Sequence, residues 1–409
     1  MNKERFITLD NGLTVFIYSD KTKITNHAEL VTFFGGTNLE YKKNNEVKEI
    51  MQGTAHLLEH YVCECNNNGD YISNILKYKG LEVNAITGDY TTKYFFKTAY
   101  NFKECLNTLL KTIYDIEFTK EKLDKTKYAV YNEIRDRKDH PYKKISDERY
   151  KMCYGKKIDI GGTKTSVSKV SIKELESIYK YFYVPKNQFL VVAGNFDEEE
   201  IITQIKEFYN NYKFKDNRKR ESIKVVPTFC HKSAVLKGER IGQVMLQYKI
   251  PIYNLTNFDK YKQDWYIKYF IDMNLSVLSK LYEELKDEDI IKRSININIF
   301  STNDYQILEI KSYTNNKKEF IKRVHNVVNN PIDTEDQFEL CKKESILHLS
   351  VRSDNITNYV APIIDNYLSF DYKENDNIEF VETLNYKEYK ETISNIDFSK
   401  YSTLTIKDK

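Results

Sequence analysis

The sequence predicts an α+β protein of two homologous αβ domains, each a mixed or antiparallel sheet with helices on one face. Three observations carry this. The chain has 409 residues, too many for one ordinary core and enough for two or three. Each half reads in the same element order (strand, helices, strands, helices, final strand), which is the mark of a diverged internal duplication of about 200 residues. The halves are parted by a polar, basic stretch, KFKDNRKRESIKVVP from Lys213 to Pro227, with the character of a linker. We place the first domain at 1–215, the linker at 216–230 and the second domain at 231–409.

Leu13 to Tyr18 follows an Asn-Gly turn and reads as a strand. Glu29 to Phe34 reads as a second, closed by Gly35 and Gly36. The period then changes, and Met51 to Cys65 fits a helix. Asp70 caps a helix over Tyr71 to Tyr78 that stops at Gly80. Strands follow at Leu81 to Thr87 and Thr92 to Ala99, then helices at Phe102 to Tyr114 and Thr119 to Arg137, the second capped by Thr119. Helices are expected at 142–153 and 171–182, a buried strand at Phe189 to Ala193, and a helix from Asp197 to about Tyr212. The second half gives a strand at Gln243 to Lys249, helices within 259–286, strands at 294–300 and 305–312, helices at 317–330 and 335–350, and a last strand at Ser402 to Ile406.

Composition excludes several function classes. Lys+Arg is 63 and Asp+Glu 60, for a net charge of +3 with no long single-sign block. Nothing here suits a polyanion, so no nucleic-acid partner is expected. The N-terminus, MNKERFITLDNGLTVFIY, has no apolar core of a secretory signal. No apolar run approaches the ~20 residues that span a bilayer, so no membrane partner is expected. The setting reads as cytoplasmic and reducing, with Cys63, Cys65, Cys105, Cys153, Cys230 and Cys341 as free thiols.

The chemistry lies in Gly53-Thr54-Ala55-His56-Leu57-Leu58-Glu59-His60. On a helix His56 and His60 stand one turn apart on one face, so each can give one nitrogen to a single Zn²⁺. Glu59 lies beside that face, where it can reach water at the metal. This H-x-x-E-H order is the inverzincin signature. A peptidase zinc needs a third protein ligand and an open position for water. Glu133, in Tyr128-Ala129-Val130-Tyr131-Asn132-Glu133-Ile134 on a second long helix, is the candidate, although spacing alone does not separate it from neighbouring acids. The plain alternative is a helix with two surface histidines. The apolar company of Ala55, Leu57 and Leu58 argues against it, since unpaired buried imidazoles are costly. Cys63 and Cys65 lie nearby but read as small buried thiols. His27, His140, His231, His325 and His348 carry no pattern and receive no role.

At these residues the sequence resembles the M16 zinc peptidases. LDNGLTVFIY resembles the family's opening strand, GTAHLLEH its site, and LEVNAITGDYTTKYFF its N-A-x-T…T-x-Y hairpin; VYNEI, DHP and YKYFYVPKNQFLVVAGNFD follow in family order. The resemblance implies His56, His60 and Glu133 as ligands of one zinc per chain, and Glu59 as general base. It implies that the chain is half of a clamshell closing on an unfolded peptide. It also implies that the substrate adds as a strand beside Asn84 and Ala85, a mode in which main-chain bonds recognise an extended peptide.

Two positions depart from the family pattern. Thr126 stands where the family carries a supporting Glu, seven residues before the distal ligand. The second-half Arg and Tyr that hold the substrate carbonyl align with Tyr282 and Asp289, and we find no such pair elsewhere in that region. A different M16-like subunit supplying the Arg and Tyr is therefore the expected partner, with this chain as the zinc-bearing member of a heterodimer. The expected reaction is hydrolysis of an internal peptide bond, with maturation of a ribosomally made peptide or bacteriocin as one setting. A general oligopeptide-degrading homodimer and a non-catalytic assembly subunit are the competing classes.

Overall fold

The computed structural model describes residues 3–43, 45–64, 70–77, 80–138, 140–214, 222–223, 228, 233–237, 242–301, 304–314, 316–352, 354–373 and 378–407. The chain forms two compact units, Met1–Lys143 with Ile158–Val226, and Lys144–Lys157 with Pro227–Lys409.

The first unit opens with β1 (Lys3–Thr8), β2 (Thr14–Ser19), β3 (Asn26–Thr32), β4 (Glu40–Lys43) and β5 (Glu46–Glu49). Helices α1 (Thr54–Glu64) and α2 (Tyr71–Lys77) precede the hairpin β6 (Gly80–Thr87) and β7 (Thr92–Thr98). Then come α3 (Phe102–Tyr114), α4 (Lys120–Lys138), α5 (Pro141–Tyr154, which groups with the second unit from Lys144 on), α6 (Lys164–Lys169), α7 (Ile172–Phe182), β8 (Gln188–Gly194), α8 (Glu198–Asn210) and β9 (Ser222–Ile223). The main sheet runs β1-β2-β8-β3-β7-β6, with β6 at one edge. Only β2 and β8 pair in parallel. One face of it, with Val15, Ile17, Ala28, Leu30, Tyr94, Phe96, Leu190 and Val192, joins α1, α3 and α7 in a single apolar core.

The second unit holds β10 (Ser233–Lys237), β11 (Gln243–Pro251), α9 (Asn257–Asn274), α10 (Lys280–Asp287), β12 (Asn296–Ser301), β13 (Tyr305–Tyr313), α11 (Lys317–Asn329), α12 (Glu335–Arg352), α13 (Ile356–Phe370), α14 (Ile378–Thr383), α15 (Tyr386–Ser394) and β14 (Tyr401–Lys407). Its sheet runs β10-β14-β11-β13-β12, again with one parallel pair, β10 and β14. This repeats β2-β8-β3-β7-β6 of the first unit in order and direction, so the duplication is real at the level of topology. No helix among the described residues is long and apolar enough to cross a membrane.

Several expectations need correction. β1, β4, β5, β9, β10, α6, α13, α14 and α15 were not anticipated. β3 begins at Asn26, not Glu29, because it is buried along its whole length and so shows no alternation. The first domain is not unbroken from 1 to 215, because Lys144–Lys157 groups with the second unit. There Met152 packs with Met245 and Leu404, the Cys153 thiol donates to Gln247 Oε1 at 3.2 Å, and Arg149 lies 3.6 Å from Glu309. Most of the expected linker, 216–230, lies outside the described residues.

One buried side chain sets the placement of α1 against α4. Tyr61, on α1, donates to the carbonyl of Glu117 at 2.9 Å and accepts from Thr119 N–H at 2.9 Å. Its ring stacks on Phe118 at 5.1 Å. Thr119 in turn caps α4 through Lys122 N–H. Tyr61→Phe should keep the packing and lose both bonds, costing roughly 1–3 kcal/mol because a buried donor is left unmet. A urea midpoint unchanged from wild type would contradict this.

Asp20 closes the turn after β2. It is buried and accepts from Thr22 N–H, Thr22 Oγ1 and Tyr18 Oη at 2.9, 2.7 and 2.9 Å. Burial pushes its carboxyl pKa up, but the Thr22 and Tyr18 bonds and Lys23 outweigh that and hold it at about 2. A lowered folded-state pKa gives stabilisation that is complete above the ordinary value and is lost as pH falls through the folded value. The stability gap between wild type and Asp20→Asn should therefore be widest near neutrality and close between pH 4 and 2. Urea midpoints measured across that range check the sign.

Candidate metal centre

α1 begins at a backbone contact that only glycine permits. Gly53 has φ +87°, and a Cβ there would stand 2.7 Å from Gly162 Cα. Its carbonyl accepts from Leu57 N–H at 2.9 Å, and Thr54 Oγ1 donates to the Met51 carbonyl at 2.7 Å. Ala55, Leu57, Leu58, Tyr61 and Val62 then turn into the core. That leaves His56 and His60 on the face toward α4, with side chains 13% and 16% exposed. On α4, Leu123 and Val130 are buried in the same core. Glu133, one turn beyond Val130, stands at the rim with 45% of its side chain exposed.

The three side chains converge. Glu133 Oε2 lies 3.4 Å from His56 Nε2, and Oε1 lies 3.2 Å from His60 Nε2. The two rings are 4.7 Å apart at 76°. One ligand atom from each residue falls within 4.8 Å of the others, the only such group of three His, Cys, Asp or Glu side chains among the described residues. Ligand atoms on a tetrahedron with bonds of ~2.0–2.1 Å are about 3.4 Å apart, so the spacing fits a zinc-sized ion. The donor set fits as well: two imidazole nitrogens and one carboxylate are the ligands of catalytic zinc.

The charges around the centre are uneven. Burial drives the His56 pKa down to about 4, helped by the positive charge of His60. Burial also acts against protonation of His60, but hydrogen bonds to Glu133 and Glu64 outweigh it and push that pKa up to about 10. The bond to His60 holds the Glu133 carboxyl below its ordinary range. Glu59 is buried, and burial raises its pKa, partly offset by a short hydrogen bond from Thr87 Oγ1.

Every expected site residue on α1 and α4 is thus brought together. Asn84 and Ala85 lie on the edge strand β6, and Thr87, which ends that strand, is the residue bonded to Glu59. Cys63 belongs to the core, and burial pushes its thiol pKa well up; Cys65 lies outside the described residues. In the second unit Tyr282 sits on α10, while Asp289 follows it at φ +55° and pairs with Lys292 at 2.6 Å. Three neighbours of the centre escaped the sequence reading. Thr87 stood in plain view in the N-A-x-T segment. Glu64 lies at i+4 from His60, with Oε1 3.1 Å from Nδ1. Arg137 lies at i+4 from Glu133, with Nη2 3.8 Å from Oε2. Helical spacing was the available signal for the last two.

The sequence matches two family profiles, one described as insulinase (peptidase family M16) over residues 45–159 and one as peptidase M16 inactive domain over residues 169–344. All the converging residues fall in the first. The chain is 25% identical over 402 residues to the uncharacterized zinc protease YmfH of Bacillus subtilis (strain 168), covering 94% of this chain and 92% of that one. Among solved structures it resembles an M16-like peptidase from Alicyclobacillus acidocaldarius at 22% identity and a TM-score of 0.87, covering 100% of this chain and 99% of that one. It also resembles a protease from Helicobacter pylori at 17% identity and a TM-score of 0.81, covering 100% of both chains. These two structures share the fold.

The entry to α1 gives a direct check on the centre. Gly53→Ala forces a left-handed backbone on a residue with Cβ and a contact at 2.7 Å. It should cost about 1–3 kcal/mol of stability and, by tilting α1, weaken metal uptake. Urea unfolding and zinc content after dialysis read the two effects separately.

Proposed function

Because the chain belongs to the M16 family of zinc proteases, we propose that it is a zinc-dependent endopeptidase, with one ion held by His56, His60 and Glu133 and with Glu59 as general base. The observation that carries this reading is the convergence of those three ligand atoms beside a buried carboxylate held by Thr87. When bound, zinc supplies Lewis-acid chemistry to water and to the scissile carbonyl.

The chain's own residues do the rest. Glu59 takes a proton from the attacking water and returns it to the leaving amine, and its raised pKa suits both directions of transfer. Thr87 fixes that carboxylate at the end of β6. An extended peptide added alongside β6 would run past Asn84 and Ala85 toward the base, its main chain paired with the strand and its sequence read by pockets.

In this reading the carbonyl-holding Arg and Tyr come from a second M16-like subunit, because Tyr282 and Asp289 occupy those positions here. The substrates are unfolded peptides, with maturation of a ribosomally synthesised peptide or bacteriocin as the setting to test. One observation favours the self-sufficient alternative: the Arg293 guanidinium lies 4.8 Å over the Tyr313 ring, so the second unit does hold an Arg beside a Tyr, at a different spacing.

Purified chain, alone and with a half-size M16-like partner carrying the Arg and Tyr, should be assayed on a peptide library. Cleavage is expected only in the mixture; full turnover by the chain alone supports the homodimer. Glu59→Gln should retain zinc and lose about 10²–10⁴ in rate. Removal of zinc by chelation should abolish cleavage, and adding it back should restore it. Undiminished turnover by Glu59→Gln would remove Glu59 from its role.

A further inference from the structure

A histidine that holds a metal through one nitrogen is oriented by what its other nitrogen meets, and such partners weigh on metal affinity almost as the ligands do. The two histidines of this centre differ in that respect. His56 Nδ1 is buried and makes no hydrogen bond among the described residues. His60 Nδ1 lies 3.1 Å from Glu64 Oε1, one turn further along α1. Both side chains of that pair are largely shielded, at 16% and 27% exposure. His60 Nε2 meanwhile faces Glu133 at 3.2 Å. The imidazole is thus gripped from both sides, by Glu133 across the site and by Glu64 behind it.

We propose that Glu64 is the positioning residue of the metal centre: its carboxylate accepts from His60 Nδ1–H, fixes the ring's tautomer and turn, and leaves Nε2 as the ligating atom. This rests on the reading of His56, His60 and Glu133 as zinc ligands. It relocates a function, since position 126, where the family pattern puts a supporting glutamate on the other helix, is a buried Thr whose hydroxyl donates to the Lys122 carbonyl at 2.9 Å. A threonine brings no carboxylate. The support comes instead from the histidine helix itself, so ligand and positioning group move together when α1 moves.

The arrangement also differs from an ordinary surface pair at i, i+4. Such a pair stabilises a helix slightly and is indifferent to metal. A positioning carboxylate is coupled to the metal through one specific imidazole.

Zinc affinity of the full-length chain, measured by competition with a chromophoric chelator, separates the two. Glu64→Ala should weaken zinc binding by about 10–100-fold, well beyond the small loss of zinc-free stability expected from removing one i, i+4 pair. Glu64→Gln keeps an acceptor for Nδ1–H and should lose less. In a His60→Ala background, Glu64→Ala should cause no further loss. Wild-type affinity in Glu64→Ala overturns the proposal, as does an equal loss in the His60→Ala background, which would mark a general charge effect. If the wild-type chain takes up no zinc, the ligand assignment fails and this inference fails with it. If the wild type binds zinc and Glu64→Ala matches it, this inference alone fails.

Discussion

The carboxylate of Glu133 meets both imidazoles of α1 across a gap that the local chain cannot close. Nothing in α1 or α4 alone brings a carboxylate to 3.2 and 3.4 Å from two Nε2 atoms. The helices must be held at one spacing and one rotation, and the hydrophobic core does this from below: Leu57, Leu58 and Val62 of α1 share it with Leu123 and Val130 of α4. Polar contacts then refine what apolar burial sets only coarsely. Tyr61 ties α1 to the segment that starts α4, and Gly53 lets the entry to α1 press against Gly162.

The same dependence runs through the sheet. Thr87 reaches Glu59 because β6 is paired with β7 from Gly80↔Thr98 to Thr87↔Thr92 and packs against α1. A slip of one residue in that pairing would turn Thr87 to the other face. Base, the two histidines and the proposed peptide track therefore share one support, the α1–β6 contact, while Glu133 rests on the packing of α4 against α1. The second unit repeats the strand order without the site. Its counterpart helix α9 carries no H-x-x-E-H, and its interior residues Tyr261, Trp265, Tyr266 and Phe270 are core. Duplication preserved the burial pattern, which folding demands of both halves, and left the chemistry in one.

The centre also shows how a polar shell can shift without loss of its logic. A zinc histidine is commonly oriented by a carboxylate, carbonyl or water behind it, and physics does not specify which helix must bring it. Glu64 on α1 meets the need by helical spacing alone. The cost is the concentration of acidic groups, Glu59, Glu64 and Glu133, about two imidazoles, and this is what drives the His60 pKa upward.

How far the sequence reached follows from the range of each interaction. His56, Glu59 and His60 were legible because their relation is a helical one, fixed within five residues. The helices α3 and α7 were legible through their periodicity, and α4 through the Thr119 cap. The repeat was legible as element order, although only the strand pairing shows that both sheets share one parallel pair in the same place. The start of β3 was misplaced because burial on all sides erases alternation; α5 was read as a helix, but its grouping with the second unit was not, because those contacts are remote in sequence. Glu133 stood between. Its helix was readable, but spacing could not choose it from its neighbours, and family pattern supplied the choice. By itself, then, the sequence determined which residues could bind a metal and on which helices they stood. Helical spacing also put Glu64 one turn from His60; only the tertiary structure decided that the ligands converge and that Thr87 reaches Glu59, because core packing between distant segments fixes those distances and no local rule does.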